Sequence, residues 1–358
     1  MPKTAGKRSV PNRRPFARAR RGWASAGVAI ALAVAPAAAL ADEAGISFWV
    51  PGIFGSLAAA PLTPGFSLTS VYYHSSIQGG GDVAIARQVS RGNLTGTVPA
   101  NLDIHVNVDL DAGLAIPTYV FATPVLGGQA AVGLLVPYGR LSAAVDQTIS
   151  ARLGSNTFSL SGAASDSVTG FGDLWPQVSL RWNQGVHNFM TYVFADVPVG
   201  RYDATRLANL GLGHSAVDSG GGYTYFDAQT GNEFSAVLGF TYNFKNQSTQ
   251  YQNGVDVHLD WGTSKFLTKQ LQVGLVGYGY NQLSCDSGSG ALVGCFESRV
   301  VGAGPQLGYI LPLGEMQAYF NVKGYKEFDA AFRPRGWNTW LTISISPAAS
   351  TPPASTRR

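Results

Sequence analysis

Polar and apolar residues alternate strictly along two stretches of the chain. Residues 102–111 read LDIHVNVDLD, and residues 255–261 read VDVHLDW. Successive side chains of a β-strand point to opposite faces, whereas a helix would scatter the same acids around its circumference. Both stretches therefore predict strands with one apolar face and one polar face. Similar alternation occurs at 177–182 (QVSLRW), 234–244 (FSAVLGFTYNF) and 341–346 (LTISIS).

The same pattern, followed along the whole chain, predicts twelve strands. They are expected at 65–76, 102–122, 128–142, 168–182, 186–199, 221–228, 232–244, 253–263, 270–283, 297–311, 316–328 and 336–346. Most connections then alternate between short turns, such as 183–185 and 229–231, and long loops at 77–101, 143–167, 200–220 and 284–296. An even number of strands with short turns at one end and longer loops at the other is typical of bacterial outer-membrane barrels.

Alternation alone fits two arrangements. In a transmembrane barrel the apolar face meets lipid, while in a soluble sandwich the apolar face points inward. Predicted strands of about ten residues favour the membrane barrel, because strands in soluble proteins usually have roughly five or six. The low charged fraction, 13%, agrees with this choice, since soluble domains usually carry about 25%. No apolar run after Ala41 is long enough for a membrane helix. The expected fold is therefore an all-β transmembrane antiparallel barrel.

Residues 1–41 have the pattern of a secretory signal peptide. The first 21 residues are basic and contain no acid, an alanine-rich apolar stretch follows, and Ala39-Leu40-Ala41 offers a cleavage site. We expect cleavage after Ala41; the alternative is a membrane anchor that is kept. Removing this leader changes the formal net charge from +4 to a small negative value. The basic balance of the whole chain is therefore no sign of nucleic-acid binding.

The expected organisation has four parts. They are a signal peptide at 1–41, a short N-terminal segment at 42–64, a barrel at 65–346 and a disordered C-terminal tail at 347–358. The segment at 42–64 is too short for an energy-coupled plug domain. Five tryptophans lie near predicted strand ends, which favours either interfacial girdles or ordinary packing. They are Trp175, Trp182, Trp261, Trp337 and Trp340.

Several long stretches resemble a known family. They include GFGDLWPQVSLRW at 170–182, PVGRYDATRLANLG at 198–211 and GAGPQLGY at 302–309. These stretches are similar to the outer-membrane family called "meta-pathway of phenol degradation", or SphA-like. The resemblance covers most of the chain after the leader. It implies a barrel associated with uptake of aromatic or other apolar compounds, and it supplies no catalytic residues.

The polar faces of three predicted strands are expected to line the lumen and to tune which solutes pass. The candidates are Asp103, His105, Asn107, Asp109, Asp111, Gln177, Ser179, Arg181, Asp256, His258 and Asp260. The alternative is a solvated or hydrogen-bonded interior with no role in transport. Asp256, His258 and Asp260 share one strand face, but no second histidine stands at a zinc-ligand spacing. We therefore expect no metal site.

Cys285 and Cys295 are the two cysteines of the chain. In an exported protein such a pair is expected to form a disulfide, with two free thiols as the alternative. The alternation of loops and turns places this pair in a loop outside the cell.

The sequence thus predicts a passive outer-membrane channel for small hydrophobic or aromatic compounds. Its expected partners are outer-membrane lipid, these solutes and the barrel assembly machinery, with no cofactor and no nucleic acid. The first alternative is a structural or surface-recognition barrel without transport. The second is a barrel lipase-type enzyme, which would need a nucleophile with a base and an orienting group. No serine stands in a nucleophile-elbow motif, and we expect no enzymatic activity.

Overall fold

Antiparallel β-strands account for most of the chain. The structure is a computed structural model that describes residues 47–91, 94–153, 156–291, 295 and 297–348, so the predicted signal peptide and most of the predicted tail lie outside it. None of the described residues forms a helix of the length and hydropathy needed to cross a bilayer. The strands are β1 Gly65–Arg91, β2 Leu94–Val120, β3 Gln129–Leu153, β4 Asn156–Phe171, β5 Trp175–Gln184, β6 His187–Asp196, β7 Ala216–Asp227, β8 Asn232–Asn243, β9 Asp256–Phe266, β10 Leu271–Gln282, β11 Arg299–Leu313, β12 Met316–Ala331 and β13 Arg335–Pro347.

The strands close into a barrel because β1 pairs with both β2 and β13. Strand β3 pairs with β4 along its second half and with β5 along its first half. β4 and β5 therefore act as one strand that is interrupted at residues 172–174, and the wall has twelve strands in all. The predicted fold class, a closed antiparallel barrel of twelve strands, is confirmed. Below, the short-turn end is the end where β1 begins, and the long-loop end is the opposite end.

The wall shows the facing expected of a membrane barrel. On β8, Phe234, Leu238 and Phe240 are 44–47% exposed, whereas Ser235 and Thr241 on the other face are fully buried. Exposed leucine, isoleucine, valine and phenylalanine continue around the outer surface on the neighbouring strands. A continuous apolar belt of this kind is unfavourable in water and stable against acyl chains. For these strands the apolar face points outward, as the alternation predicts.

Two predicted loops are strands. The described residues of the predicted loops at 77–101 and 143–167 form the outer parts of the hairpins β1–β2 and β3–β4. These hairpins extend past the start of β13, whose register with β1 ends at the pair Gln78 and Arg335. The prediction was wrong here because these stretches are rich in glycine, serine and threonine. Backbone pairing holds them in a ladder without the apolar alternation that a lipid-facing strand requires.

Candidate functional site in the barrel interior

The chain preceding β1 lies inside the barrel. Phe48 and Trp49 are 1% and 2% exposed and belong to the main interior aromatic cluster. The Phe48 ring packs edge-on against Trp175, with the ring centroids 4.8 Å apart. The Trp49 ring stacks on the His258 imidazole, with centroids 3.5 Å apart and planes 12° apart. Burying a large aromatic side chain contributes about 1.5–3 kcal/mol, so these two anchors hold the segment firmly. We call residues 47–63 the interior segment.

Two charged side chains of the wall bind the backbone of the interior segment at Gly52, one through its N–H and the other through its carbonyl oxygen. The N–H of Gly52 donates to Asp260 Oδ1 at 2.8 Å. Lys323 Nζ donates to the carbonyl oxygens of Gly52 at 2.7 Å and of Phe54 at 3.2 Å. Gly52 has a φ of +89°, and a Cβ at this position would lie 2.9 Å from Tyr325 Cε2. Only glycine meets both the backbone and the steric requirement at this position. We call this arrangement the Gly52 clamp.

Further polar side chains of the wall hold the rest of the interior segment. Glu233 Oε1 accepts the N–H of Leu57 at 2.9 Å, and Thr224 Oγ1 accepts the N–H of Ala59 at 3.0 Å. Gln306 Nε2 donates to Ser56 Oγ at 2.6 Å. Unpaired backbone groups inside a barrel are costly, and the inward polar residues satisfy them here. The interior segment is therefore a specifically bound part of the lumen.

His258 links the Gly52 clamp to a second buried acid. Its Nε2 lies 3.0 Å from Asp218 Oδ2, and its Nδ1 lies 3.4 Å from Asp260 Oδ2. Thr241 donates to Asp218 at 2.7 Å. All three ionisable side chains are fully buried. Isolated buried carboxylates are strongly destabilising, so His258 between the two acids and Lys323 beside Gly52 compensate their charge.

Six of the proposed lumen-lining residues face the interior. Asp256, His258 and Asp260 are at most 1% exposed, whereas Leu259 between them is 43% exposed on the outer face. They lie on the inward face of β9, where His258 and Asp260 contact the interior segment and not an open water channel. On β5, Val178 is 50% exposed, so Gln177, Ser179 and Arg181 point inward. These three side chains line a cavity near the short-turn end.

The predicted facing of the polar residues on β2 was wrong. His105, Asp109 and Asp111 are exposed, and Asp103 and Asn107, on the same strand face, are partly exposed. Val106 on the opposite face is buried and packs against Val145 and Leu207. The reversal includes Asp109 and Asp111, which lie at a level of the wall where β13 still pairs with β1. A loop covers the inner face there, so burial favours apolar residues inside and acids outside.

That loop, residues 197–215, closes the wall where β4 and β5 are interrupted. Strand β6 pairs with β5, and β4 has no described strand on its other edge. Instead, the N–H of Gly200 donates to Asp173 Oδ1 at 2.7 Å, and the N–H of Leu212 donates to Asp173 Oδ2 at 2.6 Å. Arg206 forms an ion pair with Asp166 on β4 at 2.6 Å. Within the loop, the hydroxyl and N–H of Thr205 donate to Asp203 and lower the pKa of its carboxyl. Local hydrogen bonds thus replace a strand ladder at this point.

The tryptophans divide between two environments. Trp337 is 44% exposed on the outer face, where an interfacial position suits it. Trp340 is 2% exposed, packs at a tilted angle against Tyr73 inside the barrel and donates to Asn338. Trp175 lies beside Phe48. Side-chain parity along the strand, more than nearness to its end, decides which role each residue has.

Sequence reasoning missed several residues of this site, chiefly Trp49, Gly52, Lys323, Glu233 and Asp218. Lys323 carried a usable signal, because it alternates with Val322 and so stands on the inward face of a membrane strand. A charge at such a position requires a buried partner. Nothing in the alternation pattern marked Trp49 or Gly52, which lie outside the strands.

The loop between β10 and β11 contains the disulfide between Cys285 and Cys295. We expect a Cys285→Ser, Cys295→Ser variant to keep the barrel but to have a loop that is cleaved faster by proteases. Closing a loop of about ten residues contributes roughly 2–3 kcal/mol in the chain-entropy description. The measurement is limited proteolysis of reconstituted protein followed by mass spectrometry of the cleavage sites. Equal cleavage rates for variant and wild type would show that the disulfide does not order this loop.

Comparisons with known proteins agree with this architecture. A COG4313 outer membrane channel from Pseudomonas putida F1 has a TM-score of 0.56 and 14% identity, covering 84% of this chain and 99% of that chain. A Pseudomonas aeruginosa FadL homologue has a TM-score of 0.38 and 8% identity, covering 79% of this chain and 90% of that chain. At these identities the first likeness shows the fold alone. No curated protein matches the chain significantly.

A family model described as "Putative MetA-pathway of phenol degradation" matches residues 78–343. The match begins within β1 and ends within β13, so it includes the whole circuit of the barrel wall. It also contains the Asp218, His258, Asp260 and Lys323 side chains of the site. Because the match covers well over half of the chain, this protein belongs to that family.

Proposed function

We propose that this protein is an outer-membrane channel for the passive uptake of small hydrophobic or aromatic compounds. The proposal includes export with removal of residues 1–41, which lie outside the described residues. The observation that carries it is the filled interior. The interior segment occupies the lumen with aromatic side chains, so the barrel in this state is no open aqueous pore.

The chemistry of the interior supports apolar solutes. Around Trp49 lie the aromatic rings of Phe54, Tyr192 and Phe194, all in one cluster. A second group beyond them combines Tyr278, Tyr325, Tyr73 and Trp340. Aromatic rings offer edge-to-face and stacked contacts that a small aromatic solute can exchange for its contacts with lipid. Asp218, Asp260 and Lys323 are paired or hydrogen-bonded to the interior segment and present little free polarity to a solute.

The comparisons support the same proposal at a coarser level. The family description refers to phenol degradation, and the Pseudomonas putida protein is described as an outer membrane channel. A wall of twelve strands around a short bound segment is consistent with passive movement of a solute through the lumen. A solute would enter from the long-loop end, pass along the aromatic cluster and leave past the interior segment.

The test compares two histidine variants that make the same chemical change. His258 stacks on Trp49 inside the barrel, whereas the side chain of His105 is 66% exposed outside. We expect His258→Ala to change the relative uptake rates of phenol, toluene and glucose by several-fold, because it loosens the packing around the interior segment. His105→Ala should leave these rates at the wild-type value. Uptake is measured with radiolabelled solutes in a Gram-negative host that lacks its own channel of this kind.

Two results would contradict the proposal. In the first, wild-type protein in the outer membrane gives no faster uptake of aromatic solutes than an empty vector. In the second, His258→Ala and His105→Ala have the same profile as wild type, which would remove the interior from the pathway. Immunoblots of outer-membrane fractions and heat-modifiable mobility on gels establish that each variant is folded and present in equal amount.

One observation favours the alternative of surface recognition. The hairpins β1–β2 and β3–β4 form a projecting four-stranded sheet with strands of 27, 27, 25 and 16 residues, whereas β5 and β6 have ten residues each. A sheet that projects beyond the barrel offers a contact surface to other molecules. If the protein serves surface recognition, neither histidine variant should change the uptake rates of the three solutes.

A further inference from the structure

A polar cavity of about 270 Å³ lies inside the barrel near the short-turn end, beside residues 61–63 of the interior segment. Hydroxyl groups dominate its wall. They belong to Thr63, Ser67, Thr69, Thr118, Ser179, Ser344 and Ser346. Pro61, Val120 and Ala131 supply an apolar part of the wall. Pockets for drug-sized ligands have volumes of roughly 300–1,000 Å³, so this cavity is suited to a smaller molecule, such as a single-ring compound.

Arg181 is the one charged side chain among the residues that line this cavity. Its Nη1 donates to Ser179 Oγ at 2.6 Å, and its Nη2 donates to the carbonyl oxygen of Ala58 at 3.4 Å. Its Nε is buried and has no hydrogen-bond acceptor among the described residues. None of the ion pairs between described residues involves Arg181. A guanidinium offers five N–H donors, and only two of those of Arg181 are used in these two hydrogen bonds.

The absence of an acid partner sets Arg181 apart from Lys323. Lys323 lies near Asp260 and is committed to two carbonyl oxygens of the interior segment. Arg181 faces a wall of hydroxyl and amide groups with no carboxylate among the lining residues. Burying a cation without a counter-charge is unfavourable, and an anion in the cavity would relieve that cost. Carboxylates fit the guanidinium fork with two parallel hydrogen bonds.

Arg181 also borders a second recess of about 310 Å³ at the turn between β2 and β3. Both cavities share Arg181 and Pro61 among their lining residues. The guanidinium therefore stands between the interior of the barrel and its short-turn end, where a solute would leave the lumen.

We propose that this cavity is a binding site for small organic carboxylates, with Arg181 contacting the carboxylate and the hydroxyl groups donating further hydrogen bonds. The apolar wall formed by Pro61, Val120 and Ala131 receives the ring or short chain of the ligand. This site deepens the proposed uptake function by naming a charged subclass of solute. A binding measurement tests for this site independently of transport.

The experiment is isothermal titration calorimetry of the purified full-length barrel in detergent. Benzoate, benzyl alcohol and inorganic phosphate are titrated separately. Benzyl alcohol keeps the ring and lacks the charge, while phosphate keeps the charge and lacks the ring. The variants are Arg181→Gln, Arg181→Lys and the control Arg140→Gln, which removes the same charge from an exposed position on β3. We expect benzoate to bind wild type and Arg140→Gln equally. Arg181→Gln should weaken binding by about tenfold or more, with Arg181→Lys intermediate.

Three results would overturn this proposal. They are no detectable benzoate binding to wild type at millimolar concentration, equal benzoate affinity in Arg181→Gln and wild type, and phosphate binding as tightly as benzoate with the same dependence on Arg181. The last result would identify a general anion site without preference for an organic ligand. If the wild-type protein binds benzoate but gives no uptake of aromatic solutes in cells, the proposed transport function is contradicted and the proposed binding site is not.

Discussion

Replacing residues 48–59 by a glycine-serine linker of equal length is expected to raise the flux of small hydrophilic solutes by about tenfold or more, since pore width and lining decide what passes. The reason is that Phe48, Trp49 and their neighbours occupy the lumen in the present structure. Without them, the inward carboxylates, amides and hydroxyls of the wall are free to be hydrated. The measurement is swelling of liposomes that contain purified barrel, with arabinose and glucose as solutes.

The control for this experiment must separate an opened lumen from a damaged wall. A Phe66→Ala, Leu68→Ala variant alters two outward side chains, which are 59% and 41% exposed, and leaves the interior segment intact. It should swell at the wild-type rate. Heat-modifiable mobility shows whether each barrel is closed. If the linker variant is closed and its flux equals that of wild type, the segment does not obstruct the lumen.

The alternation of side chains predicted the wall well because lipid imposes a simple rule on each membrane strand. On β9 every outward position must tolerate acyl chains and every inward position must satisfy polar neighbours, so Leu259 and His258 reveal their faces directly. The rule fails where a loop covers the inner face of the wall. On the outer part of β2, Val106 is covered by a loop and Asp109 meets solvent, which reverses the assignment with no change in the period.

The interior segment could not be predicted from periodicity, because it has none. Its conformation is determined by distant partners such as Asp260, more than 200 residues away from Gly52 in the chain. The inward polar residues indicated that partners must exist, because buried charges on a membrane strand require them. The sequence left open whether those partners were water, solute or another part of the chain. In this structure the partners belong to another part of the chain. Trp49 stacks on His258, and the N–H of Gly52 donates to Asp260.

The Gly52 clamp also contributes to how strongly the interior segment is held. Its hydrogen bonds are charge-assisted on both sides, and each such bond contributes about 1.5–3 kcal/mol. Both charged groups belong to the wall, and neither belongs to the segment. The wall therefore keeps its own charge balance when the segment leaves, because Asp260 and Lys323 can approach water together. A few contacts of this strength permit an equilibrium between bound and released segment.

Asp260→Ala is expected to raise the released fraction of the interior segment by about tenfold to a hundredfold, from the loss of one charge-assisted hydrogen bond of about 1.5–3 kcal/mol. Release is measured as the labelling rate of a single reactive thiol introduced by Ala58→Cys, since the native cysteines are joined in a disulfide. Lys323→Met should increase the rate similarly. Because each single change leaves the other charge unpaired, the double variant should show less than the sum of the two effects. Asp109→Ala, an exposed acid on β2, should leave the rate unchanged.

The pattern across these four variants distinguishes the clamp from a general loss of stability. A wall that is merely weakened would label faster in the double variant than the two single changes predict together, and its heat-modifiable band would weaken. A clamp gives the opposite, because Asp260 and Lys323 bind the N–H and the carbonyl oxygen of the same residue, Gly52. Equal labelling of Asp260→Ala and wild type would mean that the aromatic anchors and the other hydrogen bonds of the segment retain it without Asp260. The charged pair would then balance buried charge in the wall and have no part in holding the lumen closed.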